Sequence, residues 1–134
     1  MSEPVAYVST WRIKEGKFDD YRRFFAELVQ IVDDNEPRLT AFLTFANDDR
    51  TEITHVHVFP DSGTLDHHMD VLGEKMRLLP GDVTAVMRYL EPVRVEVFGT
   101  PEGKAAEMDK GLVDSGVPFG GKKRFLGGFT RQPR

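Results

Sequence analysis

Three histidines are the residues of this sequence that are best suited to acid–base chemistry. His55 and His57 stand two positions apart on a segment with strand periodicity, so their side chains leave the same face of the strand. His68 lies on the apolar stripe of the following helix, which must pack on the sheet. An imidazole with an unperturbed pKa of about 6.5 accepts a phenolic proton near neutral pH and hands it on later. We therefore predict that His57 and His68 face one cavity as catalytic residues, with two hydrogen-bonded core histidines as the alternative.

The histidine pair at positions 55 and 57 also has the spacing of two metal ligands. A metal site needs a third protein ligand with suitable geometry, and only His68 or a carboxylate from another element could supply it. We predict no metal, and expect a hydrogen-bonded histidine beside a pocket instead. For His55, near the end of a hairpin, simple exposure is the alternative, and His67 is expected to be solvated.

Four aromatic side chains are predicted to bind the substrate. Tyr7, Trp11 and Phe45 occupy odd-numbered positions on predicted strands, and Phe59 ends the third of these strands. Aromatic rings at such positions can form the wall of a pocket for a flat ligand. The same spacing also suits a packed core or a dimer interface, because the sequence does not show which strand face meets the helices.

The elements that must position these residues follow a β-α-β-β-α-β order. Segments with strand periodicity alternate with helical stripes of apolar side chains. Strands are predicted at residues 5–13, 39–46, 51–59 and 93–98, and helices at residues 18–32, 65–79 and 82–90. This order predicts an α+β, ferredoxin-like domain over residues 1–99, with an antiparallel sheet, strands one and three at its centre, and helices on one face only.

The sheet face away from the helices needs a cover, because both faces of the first strand are mostly apolar. A second copy of the chain is the simplest cover, which predicts a homodimer with two-fold symmetry. Residues 100–134 form a C-terminal extension, with a predicted helix between Thr100 and Gly116 and a bulged fifth strand over residues 122–130. We expect this strand to pair with the sheet edge of the dimer partner.

Composition excludes several classes of function. The chain has 134 residues and is 40% hydrophobic, so it is expected to fold as one domain with a tail. It has no cysteine, which excludes disulfides and a thiolate nucleophile. No signal-peptide pattern and no run of apolar residues long enough to cross a bilayer are present, which predicts a cytoplasmic protein without a membrane partner. The net charge of −4 argues against nucleic acid as a partner, although residues 122–134 are locally basic.

Three stretches of the sequence resemble the antibiotic biosynthesis monooxygenase family. They are residues 11–17, reading Trp-Arg-Ile-Lys-Glu-Gly-Lys, residues 61–69 at the start of the second helix, and residues 126–131, reading Leu-Gly-Gly-Phe-Thr-Arg. The order of elements over residues 5–98 is also similar. The resemblance implies a dimeric α+β barrel and cofactor-independent monooxygenation of a planar, phenol- or quinol-type aromatic molecule. A non-catalytic dimeric module that binds a small ligand, or a haem-degrading protein, are the alternatives.

Two details of this resemblance concern the candidate site. Residues 65–68, reading Leu-Asp-His-His, match the family's Leu-acid-x-His pattern and place His68 at the position of its histidine. The family's third strand commonly ends in Glu-x-Trp, whereas this chain has His57 and Phe59 there, so an imidazole replaces the carboxylate. Haem-degrading members add an Asn on the first strand and a Trp on the second helix, and this chain has neither in those places. The resemblance therefore favours an enzyme without a cofactor.

Overall fold

A computed structural model of the chain describes residues 3–75 and 88–131. These residues form β1 (Val5–Ile13), α1 (Phe18–Asn35), β2 (Ala41–Ala46), β3 (Glu52–Phe59), α2 (Ser62–Lys75), β4 (Leu90–Phe98), α3 (Gly103–Asp114) and β5 (Phe119–Lys122). Most of the helix predicted over residues 82–90, and the end of the helix predicted over residues 65–79, lie outside the described residues. Leu90 itself begins β4 instead of ending a helix. Within the described residues, no helix is long and apolar enough to cross a membrane.

The five strands form one sheet in the order β2-β3-β1-β4-β5. β1 pairs antiparallel with β3 and β4, β2 pairs antiparallel with β3, and β5 runs parallel to β4. The β2–β3 hairpin is closed by Asn47, whose side-chain oxygen accepts hydrogen bonds from the backbone N–H groups of Thr51 and Glu52. The predicted ferredoxin-like α+β fold, with its first and third strands at the centre, is confirmed.

The helices cover one face of this sheet. Along β1, buried residues occupy the odd-numbered positions from Val5 to Ile13, as the two-residue period of a strand requires. α1 brings an apolar stripe to the same face, on which Tyr21, Leu28 and Val32 are buried. Side chains on the odd-numbered positions of β1 and β3 therefore point into the space beneath the helices.

The other face of the sheet is open to solvent at β2. Phe45 pairs with Thr54 of β3, and Thr54 pairs with Thr10 of β1, so these three side chains share that face. Phe45 is 60% exposed, and its neighbour on the same face, Leu43, is 47% exposed. This face presents apolar surface that the described part of the chain leaves uncovered.

Helix α3, in the C-terminal extension, packs on the same side of the sheet as α2. Ala105 and Leu112 belong to a core cluster that also contains Phe59. The backbone N–H of Lys104 donates a hydrogen bond to Asp66 of α2, which connects the two helices. The extension therefore contributes to the core of the domain formed by residues 1–99.

The fifth strand lies earlier in the chain than the sequence predicts, and it pairs with β4 of its own chain. The prediction of a strand over residues 122–130 on a partner's edge is wrong in position, because β5 covers Phe119–Lys122. At Gly121, with φ +138°, a Cβ would clash with the carbonyl oxygen of Val97, so only glycine lets the backbone come this close to β4. Residues 123–131 form no helix or strand, and Leu126 and Phe129 are exposed.

Candidate active site

A cavity of about 190 Å³ lies between the sheet and the helices that cover it. Its walls are mainly apolar and aromatic. They are formed by Tyr7, Ser9, Trp11, Phe42, His55, His57, Phe59 and Val95 of the sheet, Tyr21, Phe24, Phe25 and Leu28 of α1, Leu65, His68, Met69 and Leu72 of α2, and Met108 and Leu112 of α3. Because an apolar cavity of ~150 Å³ is large enough to hold a benzene, this one has room for a small ring system.

Most of the residues predicted for the site meet at this cavity. Those that line it are Tyr7, Trp11, His57, Phe59 and His68. The prediction for Phe45 is wrong, because Phe45 lies on the opposite face of the sheet. Phe42, which pairs directly with His57, provides the aromatic wall at β2 instead. The sequence of β2, Ala-Phe-Leu-Thr-Phe-Ala, has a phenylalanine on each face, so its pattern could not show which one points inward.

His68 and Glu36 form a buried acid–base dyad. His68 Nδ1 lies 2.7 Å from Glu36 Oε2 and 2.9 Å from Oε1. His68 is 5% exposed and Glu36 is 4% exposed. Glu36 directly follows α1 and precedes Pro37, where an acidic residue is ordinarily solvated, so sequence reasoning missed it. Only the packing of α2 against the end of α1 shows that this carboxylate is a partner of His68.

The dyad fixes where the His68 ring carries its proton. An ionised carboxylate only accepts hydrogen bonds, so Nδ1 is the nitrogen that donates to Glu36. In the neutral ring Nε2 then holds a lone pair, and the ring lines the cavity. When Nε2 takes up a proton, the carboxylate stabilises the imidazolium that forms. The pair therefore has the hydrogen-bond geometry that a general base at His68 would need.

His57 is suited to hydrogen bonding rather than to taking up a proton. Its ring stacks on Phe42, with ring centroids 4.1 Å apart, and lies 6.3 Å from the His68 ring. Burial, followed by the positive charge that His55 and His68 can carry, lowers the pKa of His57 well below its ordinary value. Its Nε2 is buried and has no hydrogen-bond partner among the described residues. A buried nitrogen without a partner is costly, so His57 Nε2 needs a hydrogen-bond partner that the described residues do not supply.

His55 is a buried, hydrogen-bonded residue beside the cavity, and the alternative that it is exposed is wrong. It is 8% exposed, because the hairpin places it under α1. Its Nε2 shares a hydrogen bond of 3.1 Å with the Tyr21 hydroxyl, and its Nδ1 shares one of 2.6 Å with the Thr44 hydroxyl. Burial lowers the pKa of His55 to about 4, so the ring is neutral over the physiological range.

The buried histidines predict a loss of stability in acid. The pKa of His55 is about 4 in the fold and about 6.5 in the unfolded chain, so the unfolded chain binds a proton first as the pH falls. The free energy of unfolding should therefore decrease by ~3 kcal/mol between neutral pH and pH 4 from His55 alone, with His57 acting in the same direction. Asp109, whose pKa burial raises to about 6, opposes part of this change.

Urea unfolding at a series of pH values measures this effect. His55→Gln should show a smaller decrease than the wild type, whereas His67→Ala, at an exposed position on α2, should match the wild type. An acid dependence in His55→Gln equal to that of the wild type would contradict this account of His55.

The cavity does not fit a metal ion or a haem. Among the described residues, no group of three or more histidines and carboxylates is arranged to hold a metal. Both nitrogens of His55 are already hydrogen-bonded, so the spacing of His55 and His57 does not make them a pair of metal ligands. A cavity of about 190 Å³ has room for a small ring system but not for a tetrapyrrole.

Comparison with known proteins gives matches at the level of structure. No family model matches the sequence, and no curated protein matches it significantly. MupZ from Pseudomonas fluorescens has 18% identity and a TM-score of 0.66, with 98% of this chain and 91% of that chain covered. A protein of Caulobacter crescentus CB15 assigned to the antibiotic biosynthesis monooxygenases has 17% identity, a TM-score of 0.59, and coverage of 75% and 92%.

The same fold occurs in SnoaB from Streptomyces nogalater, a cofactor-independent oxygenase. SnoaB has 13% identity and a TM-score of 0.55, with 76% of this chain and 97% of that chain covered. At identities this low, the structural similarity establishes a common fold only. The similarity to MupZ extends over nearly the whole chain and so includes the C-terminal extension. The resemblance to antibiotic biosynthesis monooxygenases is thereby confirmed in the fold.

Proposed function

We propose that this chain, which has the fold of the antibiotic biosynthesis monooxygenases, is a cofactor-independent monooxygenase of a planar phenol- or quinol-type substrate. The observation that carries the proposal is the His68–Glu36 dyad, a general base on the wall of an aromatic cavity. The activity stated for SnoaB, which shares the fold, agrees with this chemistry. The cavity of about 190 Å³ has room for a small ring system.

The reaction begins with proton transfer to His68. Nε2 removes the phenolic proton, and Glu36 stabilises the imidazolium. The electron-rich anion supplies electrons to dioxygen, so a ring carbon forms a bond to oxygen and a hydroperoxide results after His68 returns its proton. Removal of the ring hydrogen and cleavage of the O–O bond then give a quinone and hydroxide, which leaves as water. One oxygen atom enters the product and the other enters water, so the substrate provides every electron.

The remaining residues of the cavity position the substrate and exclude water. We assign to His57, whose Nε2 has no partner among the described residues, a hydrogen bond with the substrate oxygen. Trp11, Phe42 and Phe59 hold the ring plane, and the Trp11 indole is itself fixed by a hydrogen bond of 3.0 Å to the Ser9 hydroxyl. Orientation and exclusion of water are the main contributions of the protein besides the base.

Oxygen uptake tests this proposal. An oxygen electrode would follow hydroquinones, naphthols and anthrones with the purified protein, in the presence of a chelator and without an added cofactor. Uptake that is absent in His68→Ala and present in His67→Ala supports the proposal, because these neighbours on α2 are buried and exposed respectively. Tight binding of the same compounds without uptake would instead show a non-catalytic module that binds a small aromatic ligand.

The proposal includes a homodimer. Leu43 and Phe45 expose apolar surface on the open sheet face, and Leu126 and Phe129 expose more on the tail. A second copy related by a two-fold axis covers the open face of both sheets, and it lets the tail of each chain lie on its partner. The C-terminal extension then contributes to the interface through residues 123–131, while α3 and β5 stay with their own chain.

Phe45→Arg should convert the dimer into a monomer. A charged side chain at 60% exposure is well tolerated in a monomer, whereas at the centre of an apolar interface it is buried without a partner. Size-exclusion chromatography with light scattering should give half the mass of the wild type. Val113→Arg is the matched control, because Val113 is 50% exposed on α3, away from the sheet face. A wild type that elutes as a monomer would contradict the proposed dimer.

A further inference from the structure

A chain of three hydrogen-bonded side chains runs from β2 to the wall of the cavity. The Thr44 hydroxyl lies 2.6 Å from His55 Nδ1, and the Tyr21 hydroxyl lies 3.1 Å from His55 Nε2. Thr44 and His55 are paired across β2 and β3, so the register of the sheet places them side by side. Tyr21 belongs to α1 and is buried. The chain therefore joins the sheet to the helix that covers it.

The Tyr21 end of this chain lies at the cavity, because Tyr21 and His55 both line it. A tyrosine hydroxyl can donate one hydrogen bond and accept two. Among the described residues, His55 is the one hydrogen-bond partner of the Tyr21 hydroxyl. This hydroxyl therefore has capacity for a further hydrogen bond, which the described part of the chain does not use.

The Thr44–His55–Tyr21 chain is neutral near neutral pH. Burial lowers the pKa of His55 to about 4, and burial also raises the pKa of the Tyr21 hydroxyl above its ordinary value. In a neutral imidazole one nitrogen donates and the other accepts, whereas a hydroxyl can do either. The hydrogen bonds of the chain can therefore all point toward Thr44 or all point toward Tyr21. Each group carries one exchangeable proton in both arrangements, so the charge stays the same.

We propose that Tyr21 binds a polar atom of the ligand, and that the chain from Tyr21 through His55 to Thr44 reverses its direction to match a donor or an acceptor. When the ligand donates to Tyr21, Tyr21 donates to His55 Nε2, and Nδ1 carries the ring proton and donates to Thr44. When the ligand accepts the Tyr21 proton, Nε2 carries the ring proton and donates to Tyr21, and Thr44 donates to Nδ1.

This inference rests on the proposed function and adds a binding residue to its site. The hydroxyl of a phenol-type substrate can donate a hydrogen bond, whereas the carbonyl oxygen of a quinone product only accepts. A partner of fixed direction, such as a backbone N–H, matches one of these forms only. Tyr21 can contact both, because the neutral chain behind it changes direction. His68 differs in this respect, since Glu36 fixes which of its nitrogens donates.

Three probes of nearly the same shape test the chain without any oxidation. Indole carries a donor only, benzoxazole carries acceptors only, and indene carries neither. NMR of the histidine ring nitrogens in the isotopically labelled full-length protein shows which nitrogen holds the proton, because protonated and unprotonated nitrogens resonate far apart. The His55 proton should be on Nδ1 with indole bound and on Nε2 with benzoxazole bound. His55→Gln, in which these signals are absent, assigns them.

The same His55 tautomer with both bound probes, or failure of both to bind, would overturn the inference. One tautomer together with intact oxygen uptake refutes only this inference. A change of tautomer between the two probes without any oxygen uptake refutes only the oxygenase.

Tyr21→Phe removes the proposed contact and leaves the ring in place. In this variant the His55 tautomer should be the same with indole and with benzoxazole. Both probes should bind about 2- to 12-fold more weakly relative to indene than they do to the wild type, which is the usual contribution of one hydrogen bond. Unchanged indene binding shows that the cavity is intact.

Thr44→Ser keeps the hydroxyl at the other end of the chain and is the matched control, so it should retain both tautomers. A Tyr21→Phe protein that binds all three probes as the wild type does would also overturn the inference. Should Tyr21→Phe fail to fold, the wild-type spectra decide alone.

Discussion

His68→Ala is expected to lower the rate of oxygen uptake by about 10²–10⁴-fold, the usual contribution of a general base. The reason is that Nε2 of His68 is the acceptor of the substrate proton, and Glu36 holds this ring in the required tautomer. The effect should appear in kcat, because the interaction develops as the proton is transferred. Steady-state oxygen consumption over a range of substrate concentrations measures it.

Two further variants separate the roles of the neighbouring groups. Glu36→Gln should also lower kcat strongly, because an amide can donate to Nδ1 and so favour the wrong tautomer of His68. His57→Ala should have a smaller effect on kcat and a larger one on KM, since His57 has a lowered pKa and supplies a hydrogen bond. If His68→Ala kept more than about a tenth of the wild-type rate while His57→Ala lost it, the assignment of the base would be reversed.

Breaking the buried dyad should also have the largest effect on stability. His68→Leu is expected to decrease the free energy of unfolding by about 3–5 kcal/mol, because it leaves the Glu36 carboxylate buried without its partner. The double variant Glu36→Leu, His68→Leu should lose much less, since two apolar side chains replace two groups that must be desolvated. Urea unfolding at one fixed protein concentration compares these variants, and this concentration matters if the protein dimerises.

The single and double variants together form a double-mutant cycle, which measures the interaction energy between Glu36 and His68. If Glu36 and His68 depend on each other, the loss in the double variant is smaller than the sum of the two single losses. Additive losses would show that the two side chains act independently, which would remove the dyad as a unit. His67→Leu, one position earlier on α2 and exposed, is the control for the helix itself.

Much of the fold could be predicted from the sequence because the pattern of apolar residues is regular. The period of α1 predicts its buried stripe, and the alternation within each strand predicts that Tyr7 and Trp11 share one face of β1 and that His55 and His57 share one face of β3. The position of His68 on the apolar side of α2 follows from the same argument. These residues meet at one cavity because β1 and β3 are adjacent and α2 lies across them.

The parts that could not be predicted depend on contacts between distant segments. Glu36 and His68 are brought together only when α1 and α2 pack, and Asp109 reaches Tyr7 only from the appended helix α3. Phe42 and Phe45 are both consistent with an inward position until the register with β3 is known. The sequence predicts β5 too late in the chain, because glycine at position 121 is a weak strand residue in general. The structure requires glycine there because the backbone of β5 lies very close to β4.

The measurement that tests the central claim most directly is single-turnover oxidation under isotopically labelled dioxygen, with chelator-treated protein and no cofactor. Mass spectrometry of the product should show one labelled oxygen atom per molecule, with the second in water, and this incorporation should be lost in His68→Ala. A product without label, or incorporation that continues undiminished in His68→Ala, would contradict a monooxygenase that acts through the His68–Glu36 dyad.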